Sequence, residues 1–364
     1  MSDDNSVSLR SKPKPGRAAR AELEDDGTVE EKLSGLRGVR GRHFLTDLDY
    51  ARADLEGLLK LAIAIKTVWR RRPLTPFLPG RHLAMIFEAA STRTRVSFEA
   101  GFAELGGNAL YLRPGEIHLP GRESVADTAR TLSQYNSAIV IRAQANETVD
   151  ELARWSGVPV INAMDHSRHP CQAMSDALTI LEFAGKLEGV VFAYVGDAAH
   201  PCNSLATTLT KLGLNVRVGN APGYEISPEV RQRAELLANQ SGGSFLLTND
   251  PLEAIDGADF IYTDCWWWTG QEAEYEDRVA AFRPFQVNSE LWSHTRPGAK
   301  FMHCLPAMRG EEVTDEVADS PASIIFPQAQ NRLHFQKALM LALIGLDELP
   351  ADPELHEIAR ALLP

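Results

Sequence analysis

The 364-residue chain contains little cysteine and no long apolar run. Its four cysteines, at positions 171, 202, 265 and 304, form no Cys-x-x-Cys pair, so the sequence indicates neither a disulfide scaffold nor a zinc site. The longest apolar run, Ala338–Leu346, has nine residues, whereas about 20 are needed to cross a bilayer. We therefore expect a protein of the reducing cytoplasm without a membrane span.

Positive charge is also scarce, because 37 Lys and Arg residues stand against 49 Asp and Glu residues, a formal charge of -12. Such a chain repels nucleic acid and anionic membranes, and we expect neither as a partner. Any anion that the protein binds must be held by a local cluster of basic side chains. The length and the 44% hydrophobic content suffice for two domains, each with its own core.

Residues 1–41 have few large apolar side chains and lack the apolar core of a secretory signal, which predicts a disordered tail. The alternative is an organelle-targeting segment. It is suggested by five basic residues and opposed by two acidic ones: Arg10, Lys12, Lys14, Arg17 and Arg20 against Asp3 and Asp4.

From residue 42 onwards, strand and helix patterns alternate. Short apolar runs predict strands at His82–Phe87, Tyr111–Leu112, Ile139–Ile141, Val158–Ile161, Val190–Val195, Val216–Val218, Phe245–Thr248, Asp259–Asp264 and Ala299–Leu305. Helical spacing predicts helices that include Leu48–Arg72, Ala173–Phe183, Leu333–Leu346 and Pro353–Leu363. This alternation favours an α/β fold with two doubly wound parallel-sheet domains joined by interdomain helices.

The segment Ser91–Arg95 lies where a predicted strand ends and a helix should begin. Three hydroxyl groups, two guanidinium groups and the free N–H groups of a helix N-terminus are what a phosphate site requires. The alternative is a helix cap with solvated arginines.

His169-Pro170-Cys171-Gln172 precedes another predicted helix. A histidine fixed by the following proline can donate a hydrogen bond to a carbonyl oxygen and stabilise negative charge on it. A purely structural histidine is the alternative.

Two more motifs follow predicted strands, where ligands of open α/β sheets bind: Asp264, and His303-Cys304-Leu305-Pro306. The Asp264 carboxylate could anchor a cationic amine, and the tryptophans at 266–268 could enclose its alkyl chain. Alternatively, His303–Pro306 is a buried strand end with a turn proline, and the tryptophans only seal an interface. Arg142 and Arg332, taken alone, would be surface charges.

In this order the segments resemble the aspartate/ornithine carbamoyltransferase family, and within it the ornithine branch, from about residue 43 to residue 346. The motifs that carry the resemblance are Phe87 with Ser91–Arg95, Asp127–Arg130, Arg142, His169–Gln172, His303–Pro306 and Asn331–Leu333. The resemblance implies transfer of a carbamoyl group from carbamoyl phosphate to a primary amine, without a metal or redox cofactor. It also implies a carbamoyl-phosphate-binding domain of residues 42–168 with 334–364, and an amine-acceptor-binding domain of residues 169–333.

The resemblance further implies roles for individual residues. The catalytic residues would be Arg142, His169 and Cys304. Carbamoyl phosphate would be bound by Ser91, Thr92, Arg93, Thr94, Arg142, His169, Gln172 and Arg332. The amine acceptor would be bound by Asn162, Asp264, Trp268, Thr269, Cys304 and Leu305. The departing phosphate can accept the amine proton, so no dedicated protein base is expected.

Trimers of the family build each active site at a subunit boundary, with a loop of the neighbouring subunit reaching carbamoyl phosphate. Gly115–Ser124 matches that loop, and His118 occupies the position where many ornithine enzymes have Gln. The resemblance therefore implies a homotrimer in which His118 completes the neighbour's site.

The acceptor region departs from the ornithine pattern, which is Asp, three residues and Ser-Met-Gly. Asp264 and Gly270 remain, but Trp268 and Thr269 replace the Ser and the Met. Putrescine carbamoyltransferases also lack Ser-Met-Gly, and the chain is similar to them in Ser241–Phe245, Tyr262–Asp264 and Gln286–Asn288. The acceptor thus stays open between ornithine, putrescine and a related amine.

Two alternatives belong to other classes. His118 and the altered Trp268–Thr269 would fit a non-catalytic paralogue that binds metabolites or partners. The strand and turn Val190–Asp197 would fit a nucleotide-dependent dehydrogenase, but the turn has Gly196 alone and no Gly-x-Gly-x-x-Gly.

Overall fold

The computed structural model describes residue 36 and residues 38–119, 121–198, 200–268 and 270–362. Within them lie two sheets whose strands are all parallel. The first sheet contains β1 (His82–Phe87), β2 (Asn108–Leu112), β3 (Ala138–Arg142) and β4 (Val160–Met164), in the order β2-β1-β3-β4. The second contains β5 (Val191–Val195), β6 (Asn215–Gly219), β7 (Ser244–Thr248), β8 (Phe260–Thr263) and β9 (Lys300–His303), in the order β7-β6-β5-β8-β9.

Helices connect these strands and cover the sheets. They are α1 (Arg52–Trp69), α2 (Thr92–Glu104), α3 (Val125–Tyr135), α4 (Asn146–Trp155), α5 (Pro170–Ala184), α6 (His200–Lys211), α7 (Pro228–Ser241), α8 (Pro251–Ile255), α9 (Tyr275–Phe282), α10 (Ser289–Trp292), α11 (Asp315–Ala318), α12 (Ile325–Ile344) and α13 (Pro353–Leu362). The predicted α/β class with two parallel sheets is confirmed.

The sequences of the strands are mostly apolar because helices cover both faces of the sheets. In β1, every residue after His82 is buried, and all four residues of β8 are buried. One large core cluster includes side chains of both sheets and of α1, α5 and α12. The two sheets therefore share apolar packing.

Helix α12 begins at Ile325, eight residues before the predicted start at Leu333. Pro327 falls within its first turn, where the missing proline N–H has no intrahelical partner to lose. The helix runs unbroken across the implied domain boundary between residues 333 and 334, and it is buried along most of its length. It therefore presents Arg332 to the interior.

The strand order reverses between β1 and β3 in the first sheet, and between β5 and β8 in the second. At such a reversal, the connections leave in opposite directions and open a crevice at the carboxyl ends of the strands. Phe87 pairs with Arg142 at the end of the first crevice, and Thr263 of β8 pairs with His303 of β9 beside the second. The predicted motifs follow these strands directly.

The predicted tail, residues 1–41, lies mostly outside the described residues. Its described end differs from the prediction, because Leu36 and Val39 are fully buried and the Gly41 N–H donates to the Leu343 carbonyl at 3.0 Å. Two apolar side chains are enough to pack this end against the helical layer. No helix of the described ranges is both long and apolar enough to cross a membrane.

Candidate active site

The first crevice brings the predicted phosphate-binding residues together. Ser91 has extended backbone geometry and precedes α2, so the free N–H groups of the helix lie beside the end of β1. Arg142, the last residue of β3, donates from Nη1 to the Ser91 hydroxyl oxygen at 3.1 Å. Thr94 is buried one turn further, whereas Thr92 is exposed in this chain. The loop after β1 and the end of β3 thus form one polar corner.

Arg142 carries a positive charge into a poorly solvated place. Burial, and after it the positive charges of Arg332 and Arg93, lower the pKa of its guanidinium to about 10. Its Nε is buried and has no hydrogen-bond partner among the described residues. An anion bound here would supply the missing acceptor and offset the repulsion between the arginines.

Arg332 reaches the same corner from α12. It donates from Nη2 to the Thr94 hydroxyl at 3.1 Å and from Nη1 to the side-chain oxygen of Gln172. The side chain is almost fully buried, and burial lowers the pKa of its guanidinium. Arg332 is therefore a buried cation at the corner rather than a surface charge.

Asp176, which is not among the predicted site residues, holds Gln172 in place. Its carboxylate accepts hydrogen bonds from the side-chain amides of Gln172 and Gln328, at 2.9 and 2.8 Å, and from the Tyr262 hydroxyl at 3.1 Å. Burial raises the pKa of Asp176 to about 7. The available signal is the spacing of Gln172 and Asp176, which are four residues apart on one helix.

Arg93 connects the two crevices. Its Nη2 donates to the backbone carbonyl of Leu305 at 2.5 Å, so a residue of the loop after β1 contacts the segment after β9. In this structure Arg93 is therefore directed towards the second sheet.

Asp264 and Cys304 form a hydrogen-bonded pair at the second crevice. The Cys304 thiol donates to Oδ1 of Asp264 at 3.1 Å, and Oδ2 of Asp264 is buried without a partner among the described residues. Burial raises the pKa of Asp264 to about 6. Burial and the neighbouring carboxylate raise the pKa of Cys304 well above its usual value, so Cys304 is a neutral thiol at pH 7.

His169 precedes α5 and is almost fully buried. Its backbone N–H donates to the Ser204 hydroxyl of α6 at 2.8 Å, and Pro170 opens the helix. Gln172 lies in the first turn of the same helix. The N-terminus of α5 thus carries two of the predicted residues.

A segment of aromatic residues follows Asp264. The indole N–H of Trp267 donates to Oε2 of Glu311 at 3.1 Å, and the Tyr275 hydroxyl donates to Oε1 at 2.9 Å. The Trp268 backbone N–H donates to the Gln271 side chain at 3.0 Å. Glu311 is not among the predicted site residues, and the predicted residue Thr269 lies outside the described residues.

Among the described residues, two predicted ones, Asn162 and His118, do not join these clusters through side-chain hydrogen bonds of their own. The Asn162 amide group donates to the Leu45 carbonyl at 3.0 Å and to Asp165 at 2.8 Å, while its oxygen is buried without a partner among the described residues. His118 is exposed on the segment after β2. Such exposure leaves it available to a neighbouring subunit.

Two family models match successive parts of the chain. Residues 42–182 match the family model described as "Aspartate/ornithine carbamoyltransferase, carbamoyl-P binding domain", and residues 188–343 match "Aspartate/ornithine carbamoyltransferase, Asp/Orn binding domain". The ornithine carbamoyltransferase of Thermococcus kodakarensis is 50% identical over 309 residues, which are 84% of this chain and 98% of that protein. That of Bacillus subtilis is 48% identical over 304 residues, 84% of this chain and 94% of that protein.

A solved structure agrees with these matches. The ornithine carbamoyltransferase of Pyrococcus furiosus superposes with a TM-score of 0.82 at 48% identity, covering 84% of this chain and 98% of that one. Both halves of the chain match models of one family, in the order that the motifs predict. The chain therefore belongs to the aspartate/ornithine carbamoyltransferase family.

Proposed function

We propose that the protein transfers the carbamoyl group of carbamoyl phosphate to the side-chain amine of ornithine and releases phosphate. The observation that carries the proposal is the buried Nε of Arg142, which lacks an acceptor beside Arg332 at the first crevice. The names of the relatives, ornithine carbamoyltransferases with nearly half of their residues identical, support ornithine as the acceptor.

Carbamoyl phosphate binds at the polar corner. The phosphate is held by Ser91, Thr92, Arg93, Thr94 and Arg142, and the carbamoyl end is held by His169, Gln172 and Arg332. Arg93 leaves the Leu305 carbonyl and turns to the phosphate when the ligand arrives, because a charge-assisted hydrogen bond to an anion is stronger than one to a neutral carbonyl.

The neutral amine attacks the carbamoyl carbon, a C–N bond forms, and the C–O bond to phosphate breaks. Negative charge develops on the carbamoyl oxygen, towards which Arg142, Thr94 and His169 can donate. Each preorganised donor contributes roughly 2.7–4 kcal/mol in comparable sites. The amine proton passes to the departing phosphate, so the raised pKa of the Cys304 thiol is no obstacle.

The acceptor is bound at the second crevice. Asp264 supplies negative charge, Cys304 is hydrogen-bonded to it, and the Leu305 carbonyl follows Cys304 in the chain. Asn162, Trp268 and Thr269 complete the proposed acceptor site. The proposed division assigns carbamoyl phosphate to residues 42–168 with 334–364 and the amine to residues 169–333, and α12 runs through the boundary between them.

A diamine such as putrescine is a second candidate acceptor, because Trp268 and Thr269 stand where ornithine enzymes have Ser and Met. A large indole in place of a small hydroxyl side chain changes the volume of the site and the position of its hydrogen-bond donor, so a carboxylate would not be held as it is in those enzymes.

Steady-state assays with carbamoyl phosphate and a panel of ornithine, putrescine, agmatine and longer diamines test both candidates. We expect one acceptor to exceed the others in kcat/KM by at least about a hundredfold, since a polar group that is left unpaired in a site costs that much. Preference for ornithine supports the first candidate, and preference for putrescine the second. Negligible rates with every amine would contradict enzymatic activity and favour the non-catalytic paralogue.

We further propose a cytoplasmic homotrimer in which His118 reaches the carbamoyl phosphate site of its neighbour. Its exposure on the segment after β2 supports this arrangement.

Mixed trimers test the shared site. A His118→Ala subunit keeps its own Arg142, and an Arg142→Met subunit keeps its own His118. Refolding the two inactive variants together should restore activity, with about one native site in each mixed trimer. Refolding each variant alone is the control. A mixture no more active than the two controls would show that each subunit builds its own site.

A further inference from the structure

Behind the Leu305 segment, His303 is held by two hydrogen bonds that set the tautomer of its ring. Its Nδ1 accepts the Leu305 backbone N–H at 2.8 Å, and its Nε2 lies 3.1 Å from Oε1 of Glu312. Since Nδ1 is already an acceptor, the proton of the neutral ring is on Nε2 and is donated to Glu312. The side chains of His303 and Glu312 are both fully buried.

Glu312 is itself fixed by the turn that it closes. Its Oε1 also accepts the Met308 N–H at 2.5 Å, and its backbone carbonyl accepts the Val287 N–H at 2.9 Å. The carboxylate therefore holds the histidine ring and the turn after it at one point.

Leu305 has an unusual backbone conformation. Its φ is 62°, and it is the one residue other than glycine with a positive φ in the described part of the chain. Leucine rarely adopts this left-handed region, so neighbouring groups must hold it there. The Leu305 N–H is held by His303, and its carbonyl is directed to Arg93.

The hydrogen bonds from His303 to Glu312 and from Leu305 to His303 form a relay. From this relay we infer that Glu312 is a positioning residue for the reaction. Acting through His303, it orients the Leu305 backbone so that the carbonyl faces the space between the two crevices. The inference deepens the proposed function and rests on it for one step, the contact between Leu305 and the amine acceptor.

A buried metal site would be another use of the same side chains, because ligand atoms of Cys265, His303 and Glu312 lie within 4.8 Å of one another. Both ring nitrogens of His303 are already occupied, Nδ1 by the Leu305 N–H and Nε2 by its own proton. The hydrogen-bond relay accounts for this cluster without a metal.

The kinetic test compares Glu312→Leu with Glu312→Gln. In the leucine variant the His303 N–H has no acceptor, and kcat/KM for the acceptor should fall by at least about tenfold. The glutamine variant keeps an oxygen acceptor and should stay within about threefold of the unmodified enzyme. Glu316→Leu, which removes an exposed carboxylate of α11, is the matched control and should change nothing.

If Glu312 had a purely structural role, its loss would weaken the binding of both substrates. We expect the Kd of carbamoyl phosphate in Glu312→Leu to stay within about twofold, because the residues proposed to bind it do not contact Glu312. Normal acceptor kinetics in that variant would overturn the inference, as would an equal loss of carbamoyl phosphate binding.

A double-mutant cycle isolates the relay. His303→Asn places an amide oxygen near the position of Nδ1, where it can accept the Leu305 N–H without Glu312. Adding Glu312→Leu to His303→Asn should therefore cost no further activity, whereas additive losses would overturn the relay.

Nuclear magnetic resonance of the unmodified protein tests which ring nitrogen of His303 carries the proton. This test needs no activity assay and no active variant. With ¹⁵N-labelled histidine, we expect a protected proton on Nε2 of one histidine, and this signal should be missing in His303→Asn. A proton on Nδ1 of His303 would overturn the inference even if the protein proves to be an active carbamoyltransferase. Conversely, the Nε2 proton would remain if the proposed function failed.

Discussion

Replacing Arg142 with methionine is expected to lower kcat by at least about a thousandfold, because the change removes a donor to the developing oxyanion together with a phosphate contact. Methionine fills a similar volume but carries no donor. Arg142→Lys keeps the charge without the planar, paired donors, so its kcat should lie between those of Arg142→Met and the unmodified enzyme. Steady-state rates at saturating carbamoyl phosphate measure both effects.

Thermal unfolding separates loss of the site from loss of the fold. The one side-chain hydrogen bond recorded for Arg142 in the described chain goes to Ser91, and its charge is poorly solvated, so Arg142→Met should unfold no more easily than the unmodified protein. A ligand at a hundred times its Kd stabilises a protein by about 2.7 kcal/mol. Carbamoyl phosphate or phosphate should therefore raise the Tm of the unmodified protein and not that of the variant. Equal protection of both would contradict the assignment of the anion to this corner.

The strands could be predicted where burial on both faces makes the sequence continuously apolar. The prediction for His82–Phe87 coincides with β1 because five of its six residues are buried. In β2 the residues are exposed or partly exposed, and only its last two, Tyr111 and Leu112, were predicted from the sequence. Apolar runs thus reveal buried strands but not the limits of a strand at a sheet edge.

Two helices, α3 and α12, were harder to predict. The sequence pattern predicts no separate helix at α3, which buries only Thr128 and Ala129. The early start of α12 was missed because Pro327 suggests a break rather than a first turn. In both cases packing, rather than local preference, decides where the helix lies.

The site residues fall into two groups for a similar reason. Ser91, Asp264 and Cys304 could be predicted because they follow strands, and parallel strands end at one edge of a sheet. The roles of Arg142 and Arg332 came only from the family resemblance. Asp176 holds Gln172 and Glu312 holds His303, and both act through side-chain contacts formed only in the folded chain. No strand end or spacing marks Glu312, which meets His303 across a turn nine residues later.

Replacing Asp264 with asparagine is expected to lower kcat/KM for the amine acceptor by about 10- to 150-fold, the usual worth of a hydrogen bond to a charged group. Asparagine keeps an oxygen that can accept the Cys304 thiol, so the change removes the charge and little else. The Kd of carbamoyl phosphate should stay unchanged. An equal loss of carbamoyl phosphate binding would contradict the assignment of Asp264 to the acceptor.

Asp264→Asn should lower activity but not the stability of the fold. The pKa of Asp264 is raised from 3.8 to about 6 in the folded protein. Between these values the unfolded chain releases its proton first, so the folded state loses stability as pH rises from about 4 to 6, and the loss is complete above pH 6. At pH 8 the carboxylate costs the fold up to about 3 kcal/mol. Asp264→Asn should therefore unfold at an equal or higher denaturant concentration.

The pH dependence of kcat/KM then separates the carboxylate from the substrate. The attacking amine must be neutral, and an alkylamine has a pKa near 10.4, so log kcat/KM should rise with pH at a slope of about one well below that value. Protonation of Asp264, whose pKa is about 6, removes the charge that binds the acceptor, so the slope should steepen to about two below pH 6. In Asp264→Asn this steepening should disappear, while the slope of one persists. A break near pH 6 that survives in the variant would assign the titration to another group, and Asp264 would then have no ionisation to contribute to the reaction.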